Sequence, residues 1–501
     1  MIKLIYRIES DYMSKKRMLI VTSVTLSVVT ISLGIVKLYQ TYALSNYIGT
    51  VTDTGIDVYI NDDSYASIPA NGSSNVYYML TNTNPGTVKY GVAYQTTSGV
   101  TVKVYDTSED PATGTIEEND KKYIKLHLEN KNSTNKTIEL STVLGYENGG
   151  DLVVPSGVTL VTDTYTPPPT AAEYITKLYT TASKTTVTNN SITYNTAPSV
   201  SLMNDRLGGT TTDLDGGNIR YYGASPNKYI YFNCSDYSNQ TSSTCETWRI
   251  IGVFDGKLKL IRGSQIGKYS WDNKNTSTGA EDNYGKNDWT TARLMKLLNP
   301  RDYYKVDSND NNLGQSLYYN SASGKCYSGQ NNATVDCDFT STGIKNDETR
   351  NMIAETTYYL GGWNSYSVYP NEIYEYERGT TVYTGRPPTW PGKIALAYPS
   401  DYGYAADLNQ CKDKTLYYYD NSTCTSNNWM KAILGTSSHG WLLTPYSGHS
   451  YYAWHVRSGG NVYSYLAYGA YGAVPVLSLS SELGIESGGD GSSSNPYKLS
   501  A

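Results

Sequence analysis

The side chains that could carry chemistry are few, and their spacing decides what they can do. His439, His449 and His455 fall close together, the only cluster of its kind in a chain with four histidines. Their separation matches no recognised ligand motif and no carboxylate lies between them, so they read as loop or interface histidines, with no metal site assigned. Glu375 and Glu377 in "YEYERG" could act as paired carboxylates on a glycoside. Neighbouring glutamates on a strand or loop are more often solvated or salt-bridged, however. Asp307, Asn309 and Asn311 alternate as calcium ligands do in an EF-hand loop, but Asn312 stands at the glycine position and Tyr318 where the closing glutamate belongs. That segment reads as a polar turn, with a loose calcium site as the alternative. No G-x-S-x-G elbow marks a nucleophilic serine. The sequence thus nominates no catalytic residue, no metal and no cofactor.

Six cysteines fall in three close pairs, Cys234/Cys245, Cys326/Cys337 and Cys411/Cys424. Three local disulfides are the cheapest pairing, each closing a short loop worth about 2–3 kcal/mol of chain entropy. No pair has C-x2-C spacing or a neighbouring histidine, as a zinc finger requires.

One segment stands apart in composition. Between Trp441-Leu442-Leu443 and Val474-Pro475-Val476-Leu477 lie seven tyrosines among Ser, Gly, Ala, Asn and His, with no period of a strand or helix. Tyrosine gives large, stiff contact area with two torsions to freeze, and Ser, Gly and Asn adapt around it, which is the composition of a binding loop. The candidate contact residues are Tyr446, Tyr451, Tyr452, His455, Arg457, Asn461, Tyr463, Tyr465, Tyr468 and Tyr471. Trp441, Trp454, Val456, Val474, Val476 and Leu477 are expected as the scaffold beneath.

The elements that must position this segment begin far upstream. From Met18 to Val36 the chain carries no charge, preceded by Lys3, Arg7, Lys15, Lys16 and Arg17. This predicts a transmembrane anchor over 18–36, a cytoplasmic tail over 1–17 and export of the remainder. A cleaved signal peptide, with Thr41-Tyr42-Ala43 as a poor cleavage site, is the alternative. Residues 45–165 hold short alternating segments ("NVYYMLTN", "TVKYGVAYQT", "KYIKLHLEN") between Asn, Asp, Gly and Pro turns, predicting an all-β immunoglobulin-like sandwich. "YTPPPT" marks a proline-rich linker at 166–170. From 171 to 501 strands mix with helices expected at "AAEYITKLYTTA", at 290–299 and at 346–362, an α+β domain.

Charge excludes one class of partner. The net charge is -6 and only 17% of residues are charged, with one dense basic cluster, Lys15-Lys16-Arg17. No nucleic-acid partner is expected from such a surface. Tyrosine numbers 51 against three phenylalanines, a bias that suits β-rich surfaces where a ring packs and its hydroxyl stays wet.

The stretches "GNIRYYGASPNKYIYFN", "TWRIIGVFDGKLKLI", "KYSWDN…NDWTTARLMKLLN", "YYLGGWN", "PGKIALAYPSDYGYA" and "WLLTP…AWHV…VPVLSLSS" occur in an order similar to that of certain bacterial surface proteins. The part from Ala171 onward resembles their C-type-lectin-like domain, in the version shared with formylglycine-generating enzymes. Gly472-Ala473-Val474-Pro475 departs from the resemblance, where an arginine before the Val-Pro pair is commoner. The resemblance implies a ligand-binding face at the C-terminus that a diversity-generating retroelement rewrites by mutating adenines. Asn codons altered in this way cannot yield Lys, Glu, Gln, Met or Trp. Between Ala432 and Ser481 there is no Lys, Glu, Gln or Met, and both tryptophans sit at framework positions. The expected protein is a non-catalytic surface binder, single-pass in the membrane, taking an extracellular protein or glycan. An envelope enzyme acting on glycan or sulfated substrate, or a structural surface-layer or adhesive element, are the alternatives.

Overall fold

The computed structural model describes residues 44–52, 55–57, 65–82, 86–144, 152, 154–272, 284–305, 313–329 and 333–500. The chain forms two compact units, Met1–Pro167 and Pro168–Ala501. In the first, one sheet runs in the order Thr164–Tyr165, Val100–Tyr105, Lys121–Asn130, Gly72–Asn82, Leu44–Thr52, Gly55–Asp57. The other runs Val158–Leu160, Val88–Gln95, Lys136–Leu144, Tyr65–Ile68, and Thr113–Ile116 also pairs with Val88–Gln95. Period-two alternation makes this possible: Ile124, Leu126 and Leu128 of one sheet are fully buried with Tyr90, Val92 and Leu140 of the other. The Tyr78 hydroxyl and Thr142 Oγ1, 2.9 Å apart, tie the two sheets together.

The second unit is built on a nine-stranded sheet. Its order is Thr185–Asn189, Ile192–Ala197, Leu202–Asn204, Ile219–Tyr221, Glu246–Phe254, Lys257–Ile261, Val476–Ser478, Ile394–Ala395, and Tyr229–Phe232 also pairs with Glu246–Phe254. The Glu246–Phe254/Lys257–Ile261 hairpin turns on Asp255-Gly256, both with positive φ (49° and 71°), the tight turn that matches strand twist. A five-stranded sheet follows: Lys268–Tyr269, Tyr471–Gly472, Gly440–Pro445, Tyr452–Val456, Val462–Leu466. Disulfides join Cys234–Cys245, Cys326–Cys337 and Cys411–Cys424, and the second of these bridges the paired strands Ser323–Tyr327 and Thr334–Asp338.

Behind the large sheet lies a buried ionic network. Arg220 donates through Nε to Asp205 Oδ2 at 2.5 Å and through Nη1 to Asp401 Oδ1 at 2.9 Å. Lys259 Nζ reaches Asp401 Oδ2 at 2.6 Å. All four groups are buried.

The structure corrects the expected architecture. The correction falls on the helical part: the described chain is mostly β-sheet with few, short helices. The longest, Ala171–Thr181, has 11 residues, where a bilayer needs about 20. No described helix is long and apolar enough to cross a membrane, so a single-pass membrane location is not supported. The expected span at 18–36 and tail at 1–17 lie outside the described residues, as does most of the calcium-like segment at 307–312. Disulfides persist in oxidising surroundings and point to the cell exterior instead. Of the helix expected at 346–362, only Asp347–Met352 is helical. Thr356–Tyr359 is a strand paired with Thr389–Gly392, because β-branched and aromatic residues favour the pleated edge. The glutamates of "YEYERG" sit instead on a helix, Pro370–Arg378, which begins with proline at its first turn.

Leu126→Ala empties a fully buried position between the two sheets of the first unit. The expected loss is about 2–5 kcal/mol, read as a lower midpoint for that unit in urea denaturation.

Candidate recognition face

The site is assembled from the five-stranded sheet and the turns at its ends. In Val462–Leu466, Val462 and Ser464 are buried while Tyr463 is half-buried and Tyr465 exposed. The register pairs His455 with Tyr463, Ala453 with Tyr465 and Trp441 with His455, so these residues share one face. Opposite them Trp454 pairs with Ser464 and Val456 with Val462, and these point into the core. The indoles fix the layer beneath: Trp441 Nε1 donates to Tyr269 O at 2.9 Å, and Trp271 Nε1 to Leu442 O at 3.0 Å.

All seven tyrosines of the segment retain exposed surface, and none is buried. Elsewhere tyrosine is a core residue: Tyr78, Tyr90, Tyr194, Tyr318, Tyr402 and Tyr404 are wholly or almost wholly enclosed. The seven belong to one network of ring contacts. Tyr471 meets Tyr465 at 5.2 Å between centroids, and Tyr465 and Tyr463 both lie 6.4 Å from His455. Tyr463 stacks on Tyr366 at 4.2 Å, Tyr366 lies 5.5 Å from Tyr446, and Tyr446 6.2 Å from Tyr452. Tyr452 then contacts Tyr451, Tyr451 contacts Tyr284, and Tyr284 stacks on Tyr468. Ring–ring packing of this kind costs each phenol part of its freedom before any ligand arrives.

The loop 446–452 is held from below chiefly by the side-chain amide of Asn287. Asn287, buried, directs Nδ2 at the carbonyls of Tyr446 (3.0 Å), His449 (2.7 Å) and Tyr452 (3.1 Å). Arg386 Nε donates to Asn287 Oδ1 at 3.2 Å, and its Nη2 to Ser450 O at 3.1 Å. Tyr446 OH donates to Asn364 O, and the hydroxyls of Tyr366 and Ser464 meet at 2.7 Å. These fasten the turn to the rest of the unit.

Of the remaining candidates, Arg457 is exposed, with its guanidinium 4.4 Å from the Tyr463 ring centroid. His455 and Asn461 are buried and support the face from within. His455 lies against Trp441, Tyr471 and His439, and its Nδ1 has no hydrogen-bond partner. Burial, then the nearby His439 and Arg457, hold its imidazole well below the usual histidine range. His449 lies apart from the other two, stacked on Tyr446. Among the described residues no group of three or more His, Cys, Asp and Glu is arranged to hold a metal ion.

The two glutamates do not form a working pair. Glu375 is exposed, while Glu377 is buried and accepts from Ser400 N at 2.9 Å and Ser400 Oγ at 2.5 Å. Burial pushes its carboxyl up to about 7. Side chains two apart on a helix diverge, which separates them.

Sequence reasoning missed four exposed or half-buried rings that complete the network: Tyr284, Tyr366, Tyr417 and Tyr418. Tyr418 is the most exposed of them, at 55%. "LYYYD" at 416–420 was the available signal, since three successive tyrosines cannot all face a core. Asn287 gave no signal, because one asparagine in a loop has no pattern.

Comparison with models of protein families finds no match to this chain, and comparison with curated proteins finds none either.

Two outcomes follow from this geometry. An imidazole depressed in the folded state stays neutral there while its unfolded counterpart binds a proton below about pH 6.5. Stability is therefore full above that pH and falls as the solution is acidified toward the folded-state value. Unfolding midpoints measured from about pH 7.5 to 5 will show this slope, and His455→Phe will flatten it. Asn287→Ala removes the grip on three carbonyls, and hydrogen exchange of the 446–452 amides is expected to quicken by about tenfold or more.

Proposed function

We propose that this chain is a non-catalytic binding protein of the cell exterior whose working surface is the tyrosine network around 446–471. The observation that carries the reading is the contrast in burial: the chain encloses tyrosines freely elsewhere yet leaves all seven of this segment at the surface. They stand on a framework of buried indoles and a pinned loop, so little ordering remains to be done on binding. The partner is an extracellular protein or glycan presenting neutral surface. From Gly440 to Ser481 the segment carries no carboxylate and no lysine, leaving Arg457 as its fixed charge. Phenol faces and hydroxyls supply both apolar contact and hydrogen bonding there.

The composition of 446–473 also supports a segment varied by adenine-directed mutagenesis, as in the surface proteins the sequence resembles. An adenine-rich near-copy of these codons beside a reverse-transcriptase gene would establish it, and its absence from the surrounding DNA would leave a fixed binding face.

Screening the chain against a glycan array and a panel of extracellular proteins, with variants alongside, tests the binding role. Tyr463→Ala with Tyr465→Ala is expected to weaken any specific partner by more than about tenfold, at the scale of an aromatic anchor, with unchanged circular dichroism. Unaltered affinity for every detected partner in a variant lacking four of the seven rings would refute it.

A further inference from the structure

The ionic network of the second unit contains one contact that can go further than a salt bridge. We propose that Lys259 and Asp401 condense to an intramolecular amide, a covalent cross-link between the strand Lys257–Ile261 and the helix Pro399–Tyr404.

The geometry supplies each requirement. Lys259 Nζ lies 2.6 Å from Asp401 Oδ2, with both side chains enclosed. The ammonium end sits against two aromatic rings, 4.7 Å from the centroids of both Phe254 and Tyr398. Asp401 Oδ1, the oxygen that would carry charge after attack on the carboxyl carbon, accepts from Arg220 Nη1 at 2.9 Å. A fixed guanidinium there is what acyl chemistry needs, since a preorganised donor in a dry site stabilises developing negative charge strongly. Oδ2, the departing oxygen, accepts from Tyr398 N at 3.0 Å. A cavity of about 340 Å³, lined by Lys259 and Tyr398, gives the released water somewhere to go.

The step balances without any outside reagent. The ammonium passes one proton to Oδ2 along their hydrogen bond, giving a neutral amine and a neutral acid. The nitrogen lone pair attacks Cγ, and the C=O pair moves to Oδ1 under Arg220. The pair returns, the Cγ–Oδ2 bond breaks, and the leaving hydroxyl takes a second proton from the new C–N nitrogen. One amide and one water result.

Burial favours the outcome. Taking two ions out of water is costly and their mutual attraction need not repay it, so removing both charges together relieves the site. Holding the groups in contact replaces the bimolecular encounter that amide formation in solution requires. Burial also draws the Lys259 amine below its ordinary range, against the pull of Asp401. Against burial, which would raise it, Lys259 and Arg220 hold the Asp401 carboxyl below its ordinary range. After condensation the remaining charges still match: Asp205 with Arg220, and Glu377 with Arg378 at 3.3 Å.

The test is the mass of the purified full-length chain, denatured with its disulfides reduced. Wild type is expected to be one water lighter than its sequence, and proteolysis is expected to yield a branched peptide holding Lys259 and Asp401. Lys259→Arg keeps a cation beside Asp401 but removes the nucleophilic amine. It should differ from wild type by the residue change plus one water. A wild-type mass equal to that of the sequence, or a water loss that maps to other residues or persists in Lys259→Arg, overturns the proposal, and neither reading depends on how the variant folds.

Discussion

The recognition face depends on side-chain alternation in two adjacent strands. Because successive residues leave a strand on opposite sides, Tyr452–Val456 and Val462–Leu466 cannot bury Trp454, Val456, Val462 and Ser464 without turning Tyr463 and Tyr465 outward. A slip of one residue would push phenols into the core and an indole into water, so the pairing register is strongly determined. Trp441 and His455 then form an aromatic floor between the exposed rings and the core.

How much of this was legible in sequence depended on whether a residue's role was local. The tight turn at Asp255-Gly256, the alternating strands of the first unit and the capped helix at Ala171–Thr181 follow from short-range pattern. Thr170 Oγ1 accepts from Glu173 N, and Glu173 Oε2 accepts from Thr170 N. The framework positions Trp441, Trp454 and Val456 were also readable, as apolar residues flanking a polar field. Asp347–Met352 shows the limit. Its helical pattern continued on paper to residue 362, but pairing with Thr389–Gly392 drew Thr356–Tyr359 into a strand. Partners more than thirty residues away leave no local trace. Asn287, Tyr284 and Tyr366 join the face only through such contacts, and the buried ions Asp205, Arg220, Lys259 and Asp401 come from four separate stretches of chain.

The second unit contains long irregular stretches, and its restraints are distributed accordingly. The three disulfides close short loops, while the ionic network and the buried indole hydrogen bonds connect elements far apart in sequence. Each kind of restraint does what the other cannot. Local bridges limit the freedom of the unfolded chain, and the long-range polar contacts specify which elements meet.

Asn287 grips Tyr446, His449 and Tyr452 by their backbone oxygens. Every amino acid brings an identical carbonyl, so the turn's course is indifferent to which side chains decorate it. Shape and chemistry are thereby inherited separately: mutation can repaint this turn without redrawing it, and a lineage can explore new specificities while keeping one geometry.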